Sequence, residues 1–247
     1  MMLKNKISLI TGSNRGIGFS LVKKFSENGS DVIACARKKN ENFEKEIDEI
    51  SKKNKNKIYP IYFDLKNNDE ISEGLKKVQL IAPKIDIIVN NAGIDQVSLF
   101  QMTSQKKINE VFQVNFFSTL LITQNLMKIL IKNKRGSIIN IASNAAIECD
   151  AGRSIYASSK AALISFTKSL SKELGNFNIR VNAVAPGLTK TNMIEQGISK
   201  KILEDAIHRI PLKRAAEAEE IANVVAFLAS DMSSYVNGET IFVTGGY

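Results

Sequence analysis

The sequence predicts an α/β fold: a single doubly wound domain in which helices cover both faces of a parallel sheet of about seven strands. Three observations carry this. Short apolar runs without alternation recur at Ile7 to Ile10, Val32 to Ala36, Ile58 to Phe63, Ile85 to Val89, Ser137 to Ile141, Ile179 to Ala185 and Thr240 to Val243. A half-exposed strand alternates polar and apolar residues, whereas a strand buried on both faces does not. Stretches of helical periodicity separate the runs, as crossovers between parallel strands require. The first run also ends directly in a glycine turn that opens a helix.

The 247 residues suit one domain with a large core, and no repeat, low-complexity block or proline-rich linker marks a boundary, so residues 1–247 are read as one unit. Two cysteines, Cys35 and Cys149, are too few for a disulfide framework, and a reduced, cytoplasmic protein is expected. The opening MMLKNKISLITG has a short apolar run that stops at glycine, and it reads as neither a signal peptide nor a membrane span. The net charge of +9, from 34 Lys+Arg against 25 Asp+Glu, would suit an anionic partner. Most of the basic residues, however, sit among acids, as in KKNENFEKEIDEISKKNKNK, with no aromatic interleaving. The excess is read as a solvated surface, and no nucleic-acid partner is expected. One histidine, His208, and no cysteine pair at ligand spacing leave nothing for a transition-metal site, and His208 receives no role.

The first strand runs into Gly12, Gly16 and Gly18, and the next helix carries Ile17, Leu21, Val22 and Phe25 on one face before Gly29. Unpaired amides at a helix start attract phosphate, and glycines let the backbone approach a ligand closely. A tight turn before a helix is the plain alternative. The tip of the second strand reads Cys35, Ala36, Arg37, Lys38, Lys39, without an acid. In dinucleotide folds an acid there binds a ribose 2′-hydroxyl, while a basic residue accommodates a 2′-phosphate. Arg37, with Arg15 from the glycine loop, therefore points to NADP(H), the alternative being a basic turn. Asp64 and Leu65 close the third strand, where Asp64 also suits the start of a turn. Asn90, Asn91, Ala92 and Gly93 end the fourth, and their small side chains permit close backbone approach.

Thr103 to Ile131 form a long helical pattern containing Asn115, whose amide must find partners inside an apolar helix. A helix-to-helix hydrogen bond is the first reading. The fifth strand leads to Ser143, placed to hydrogen-bond a substrate carbonyl, and Asn144 to Arg153 should wall a substrate pocket. In the next helical pattern Tyr156 and Lys160 lie four residues apart and share a face. A cation beside a phenol favours the phenolate and moves its pKa from ~10 toward the working range. Alone, the pair reads equally as a surface lysine above a half-buried tyrosine.

Taken together, TGSNRGIG, NNAG, Ser143 and Tyr156 with Lys160 resemble the short-chain dehydrogenase/reductase family, in the family's order and across nearly the whole chain. The resemblance implies a Rossmann-type sheet in the order 3-2-1-4-5-6-7 and an oxidoreductase acting on CH–OH groups. It implies that Thr11, Gly12, Ser13, Asn14, Arg15, Gly16, Ile17 and Gly18 surround the diphosphate and adenosine half of the cofactor. Asp64 and Leu65 would flank the adenine, and Asn91, Ala92 and Gly93 would line the cofactor. Pro186, Gly187, Thr189 and Thr191 would orient the nicotinamide amide, and Asn192 to Ser199 would form a substrate lid. Tyr156 would be the acid, Ser143 a donor to the same oxygen, and Lys160 a ligand of the ribose as well as the cation that lowers the phenol pKa. Asn115 would bend its helix and keep a proton relay ordered. A homodimer or homotetramer is implied, through the helices carrying Asn115 and Tyr156.

Within that family RSIYASSKAALISFTKSLSKEL, VNAVAPGLTKTNM and EEIANVVAFLASD most resemble the 3-oxoacyl-(acyl-carrier-protein) reductases of fatty acid biosynthesis. An acyl-thioester substrate and an acyl carrier protein partner are implied. Two departures stand out. Of two basic positions that group uses to dock the carrier protein, Lys134 retains charge and the other corresponds to Phe177. The pocket wall also carries Glu148, Asp150 and Arg153, where that group is small and glycine-rich. Charged walls suit a polar ketone such as a sugar or nucleotide-linked sugar, and that alternative stands beside a non-catalytic NADP-binding protein.

Overall fold

The computed structural model describes residues 1–191 and 200–247. Its strands are β1 (Ile7–Thr11), β2 (Asp31–Ala36), β3 (Ile58–Tyr62), β4 (Ile87–Asn90), β5 (Gly136–Ile141), β6 (Ile179–Pro186) and β7 (Thr240–Val243). They pair in parallel in the order β3-β2-β1-β4-β5-β6-β7, as the family resemblance implies. The order reverses between β1 and β4, and right-handed crossovers then send helices to opposite faces and leave a crevice at the carboxyl ends of the strands.

Both faces are buried, which explains the unalternating runs. Leu9, Ile33 and Cys35 pack on one face, while Ile10, Val32, Ala34 and Ala36 pack on the other. The second of these cores is closed by α1 (Gly16–Glu27), α2 (Glu41–Asn54) and, later in the chain, Ala218–Ala229, through Leu21, Val22, Phe25, Phe43, Ile47 and Val225. The first is closed by α3 (Asn68–Ile81), Ser118–Asn133 and Ser154–Leu174, through Ile71, Leu75, Leu126, Leu130 and Leu170. Fully burying one such side chain contributes roughly 1.5–3 kcal/mol, so these stripes fix which way each helix faces.

The predicted helix from Thr103 to Ile131 is interrupted. It consists of α4 (Gln105–Phe112), a π-helical turn at Gln113–Phe117, and α5 (Ser118–Asn133). A π-turn admits one extra residue per turn and so offsets α5 from the line of α4. Asn115 sits inside it, fully buried, as expected of a residue that bends the helix. The chain continues through α6 (Ala145–Glu148), α7 (Ser154–Leu174), α8 (Lys200–Arg209) and α9 (Ala218–Ala229). The expected lid at Asn192 to Ser199 lies outside the described residues.

Candidate active site

A cleft of about 670 Å³ opens along the carboxyl ends of the strands. Its floor is built where β1 meets β4. The Thr11 hydroxyl accepts the backbone amides of Asn91 and Ala92, both at 3.0 Å, and the Asn91 amide donates to the carbonyls of Thr11 and Gly12 at 2.9 and 3.2 Å. The glycine loop is thereby pressed against the NNAG segment. Gly12 has φ +65°, and a Cβ there would stand 2.9 Å from the Ala92 Cα. At Gly18 a Cβ would stand 1.9 Å from the Gly12 carbonyl oxygen, so only glycine fits.

Helix α1 then begins with its first turn open. Asn40 and Asn67 cap α2 and α3 through their side chains, and Glu217 with Glu220 forms a capping box on α9. Arg15, at the start of α1, makes no side-chain cap, and the first turn holds no acid. Unsatisfied amides and a positive helix end facing a cleft form an anion site, and glycines give a diphosphate room to sit on it. The donor set thus fits a dinucleotide.

Beside β2 and β3 the cleft is lined by Arg37, Asp64, Leu65 and Lys66 together with Asn14, Arg15, Gly16, Ile17 and Gly18. Asp64 has both expected characters, since it lines the cleft and its Oδ1 accepts the Lys66 amide in a turn at 3.0 Å. Lys66 is paired with Glu110 and Lys39 with Glu44. Among the described residues neither Arg15 nor Arg37 has an ion-pair partner.

At the opposite end Gly93, Ser143, Tyr156, Lys160, Pro186, Gly187, Thr189 and Thr191 converge. Helix α7 sets the tyrosine and lysine on the face turned toward the cleft. Lys160 is 3% exposed; its Nζ donates to the Ile141 carbonyl at 2.8 Å and lies 5.9 Å from the Tyr156 ring centroid. Burial pushes the Lys160 ammonium down to about 8. The expected lowering of the phenol by this lysine is not what the folded site shows. Burial holds the Tyr156 phenol above its ordinary value; the Ser143 hydroxyl and Arg153 act in the opposite sense, and Asp95 adds to the rise. The reason is that the amine is turned to a backbone carbonyl while the phenol is itself desolvated. What results is a protonated phenol, suited to give a proton rather than to take one.

Two expected site residues lie off the cleft wall. The Ser13 hydroxyl is buried and donates to the Cys35 carbonyl at 2.9 Å, so it ties the loop to β2. Asn115 accepts the Ile94 amide at 2.8 Å and donates to the Ile94 carbonyl and the Ser159 hydroxyl, each at 3.0 Å. It braces the segment beneath Gly93, where a Cβ would stand 3.4 Å from its Oδ1 and 3.2 Å from Lys160 Nζ. Lining residues that the sequence reading missed include Asp95, Lys66, Arg209 and Tyr247. Asp95 lies two residues beyond NNAG and was within reach of motif reasoning, whereas Arg209 and Tyr247 arrive through tertiary packing alone.

An open helix start, a dinucleotide-sized cleft and a phenol, hydroxyl and amine at one end of it define a nicotinamide-dependent oxidoreductase acting on keto and CH–OH groups. Comparison with known proteins agrees. The family model described as enoyl-(acyl carrier protein) reductase matches residues 12–247. The 3-oxoacyl-(acyl-carrier-protein) reductase FabG of Aquifex aeolicus is 40% identical over 244 residues, covering 99% of this chain and 98% of that protein. Its namesake from Thermotoga maritima is 40% identical over 248 residues, covering 100% and 99%. The 3alpha-hydroxysteroid dehydrogenase of Mediterraneibacter gnavus is 38% identical over 246 residues, covering 99% and 98%. A solved short chain dehydrogenase/reductase family protein superposes with a TM-score of 0.87 at 31% identity, covering 100% of this chain and 98% of that one. The chain belongs to the short-chain dehydrogenase/reductase family.

Proposed function

We propose that the protein is an NADPH-dependent 3-oxoacyl-thioester reductase, its 247 residues acting as one catalytic domain on acyl groups carried by acyl carrier protein in the cytoplasm. The observation that carries this is the meeting of Ser143, Tyr156 and Lys160 at one end of a dinucleotide-sized cleft, in a chain alignable end to end with ketone reductases of that type. Gly12, Asn14, Arg15, Gly16, Ile17 and Gly18 would hold the diphosphate, Arg37 with Arg15 the 2′-phosphate, and Asp64 and Leu65 the adenine. Asn91, Ala92, Gly93, Lys160, Pro186, Gly187, Thr189 and Thr191 would hold the nicotinamide half. When bound, the cofactor supplies hydride to the ketone carbon.

The protein's own work is on the ketone oxygen. The Ser143 hydroxyl donates a hydrogen bond to it, and the Tyr156 phenol transfers a proton to it as negative charge develops. Lys160 holds a positive charge behind the phenol, and Asn115 keeps the segment under Gly93 in register. Phe100, Met102 and Phe117, exposed on and beside α4 and α5, suit assembly into a homodimer or homotetramer.

A second reading, reduction of a polar ketone such as a keto-sugar, is favoured by the charged wall of Glu148, Asp150 and Arg153 along the cleft. Following NADPH absorbance with acetoacetyl thioesters beside a panel of keto-sugars separates the two. Turnover of the thioester at micromolar to millimolar KM supports the first reading, and turnover confined to the sugars replaces it with the second.

A further inference from the structure

The segment after β4 and the segment before α7 meet across the mouth of the cleft. Asp95 Oδ2 accepts from Arg153 Nη2 at 3.0 Å, and Asp95 is itself fixed because its Oδ1 accepts the Gln96 amide at 2.8 Å. The pair is only partly exposed, its side chains at 23% and 21% for Arg153 and Asp95, and both residues line the cleft. The guanidinium carbon lies 5.8 Å from the centroid of the Tyr156 ring. The two segments do not need the ion pair to stay together. The Ser98 amide already donates to the Gly152 carbonyl at 2.9 Å, and Gln96 Nε2 pins the turn to the Ser98 hydroxyl at 2.8 Å. A guanidinium carries five N–H donors in a planar fork, and Asp95 engages one of its nitrogens. The remaining donors stand at the rim of the site beside the proposed acid.

We infer that Arg153, aimed by Asp95, is the residue that selects substrates with a second carbonyl two carbons from the reacting ketone. The inference rests on the ketone-reducing reading above. With the ketone oxygen held between Ser143 and Tyr156, the oxygen of a neighbouring thioester would be offered to the Arg153 guanidinium, whose carbon lies 5.8 Å from the Tyr156 ring centroid. The wall also says what that second group is. The two segments that meet here carry Asp95, Glu148 and Asp150 against Arg153 alone, so a free carboxylate or phosphate would meet a wall of net negative charge. A neutral carbonyl can accept from Arg153 without that repulsion. The favoured class is therefore a neutral 1,3-dicarbonyl, such as an acyl thioester, rather than the free 3-oxo acid.

The test compares acetoacetyl-pantetheine with S-(3-oxobutyl)pantetheine, in which the thioester carbonyl is replaced by CH2, and with free 3-oxobutanoate. The readout is the ratio of kcat/KM values for the first two, measured in the wild type, Arg153→Gln, Arg153→Lys and Asp95→Asn. A hydrogen bond from a charged donor corresponds to a fold-change of about 10 to 100. The ratio is expected to fall by about that factor in Arg153→Gln and by less in Arg153→Lys and Asp95→Asn, with free 3-oxobutanoate the poorest substrate of the wild type. A merely structural role would lower both pantetheine substrates together, so a ratio kept within about twofold in whichever variants retain the wild-type melting transition overturns the assignment. If the wild type reduces neither ketone, the reductase reading itself has failed. If it reduces both and the ratio never moves, only the role of Arg153 has.

Discussion

The Lys160 amine donates to the Ile141 carbonyl at 2.8 Å while lying 5.9 Å from the centroid of the Tyr156 ring. Strand β5 therefore holds the lysine, and the lysine stands behind the tyrosine without binding it. The phenol is left protonated by its own burial. For a reductase this is the useful state, since the ketone oxygen needs a proton as it gains charge.

Tyr156→Phe removes the proposed proton donor and little else, because the ring keeps its packing. Turnover of the best thioester is expected to fall by about 100- to 10,000-fold. NADPH binding, followed by fluorescence titration, should remain within a few-fold of wild type. A variant that turns over at the wild-type rate would show that the acid is elsewhere.

Lys160 makes the stability of the unliganded protein depend on pH. Folded, its ammonium titrates at about 8, against an ordinary value of 10.5. Below pH 8 both folded and unfolded chains carry the charge, and the folded one bears its desolvation. Between pH 8 and 10.5 the unfolded chain still holds the proton that the folded chain has released, so stability rises with pH across that window. Lys160→Met lacks this dependence. Urea denaturation should find the methionine variant more stable at pH 7, by at most about 3 kcal/mol, with the gap closing toward pH 10. A gap independent of pH would contradict the assignment.

Much of this was legible in the sequence because the constraints were local. Unalternating runs such as Val32 to Ala36 could only be strands buried on both faces, and Tyr156 and Lys160 are tied by helical spacing alone. The bend at Asn115 was legible only through the family resemblance, since by its residues alone an apolar helix with one asparagine reads as continuous until the Ile94 backbone is seen to occupy that amide. The place of Ser13 was not legible, since its hydroxyl could face a diphosphate or the Cys35 carbonyl with equal local geometry. Arg209 and Tyr247 reach the cleft from the end of the chain, where no short-range pattern links them to it.

Gly18 tests the packing of the glycine loop apart from its chemistry. An alanine Cβ would lie 1.9 Å from the Gly12 carbonyl oxygen and 2.7 Å from the Asn91 side-chain nitrogen, and Gly12 is itself hemmed by Ala92. Gly18→Ala should destabilise the protein by about 1–3 kcal/mol, the usual range for overpacking, and raise the KM for NADPH. Gly175→Ala is the control, since nothing but Asn237 Nδ2 at 3.9 Å approaches that position and its backbone is right-handed helical. Thermal melting should leave the control within about 0.5 kcal/mol of wild type.

The proposed preference for NADPH turns on Arg37. It lines the cleft at the tip of β2, where an acid would accept a ribose hydroxyl, and Lys39 beside it is already paired with Glu44. Arg15 approaches from the glycine loop, so a 2′-phosphate would meet two cations that have no ion-pair partner among the described residues. Arg37→Asp puts a carboxylate where that phosphate would sit and offers an acceptor to an unmodified ribose. The KM for NADPH should rise by about 10- to 100-fold, corresponding to one lost charge-assisted contact, while the KM for NADH falls. Steady-state kinetics with both cofactors give the ratio directly. If Arg37→Asp leaves it unchanged, the 2′-phosphate is bound by other residues or the enzyme prefers NADH, and the wild-type ratio tells which.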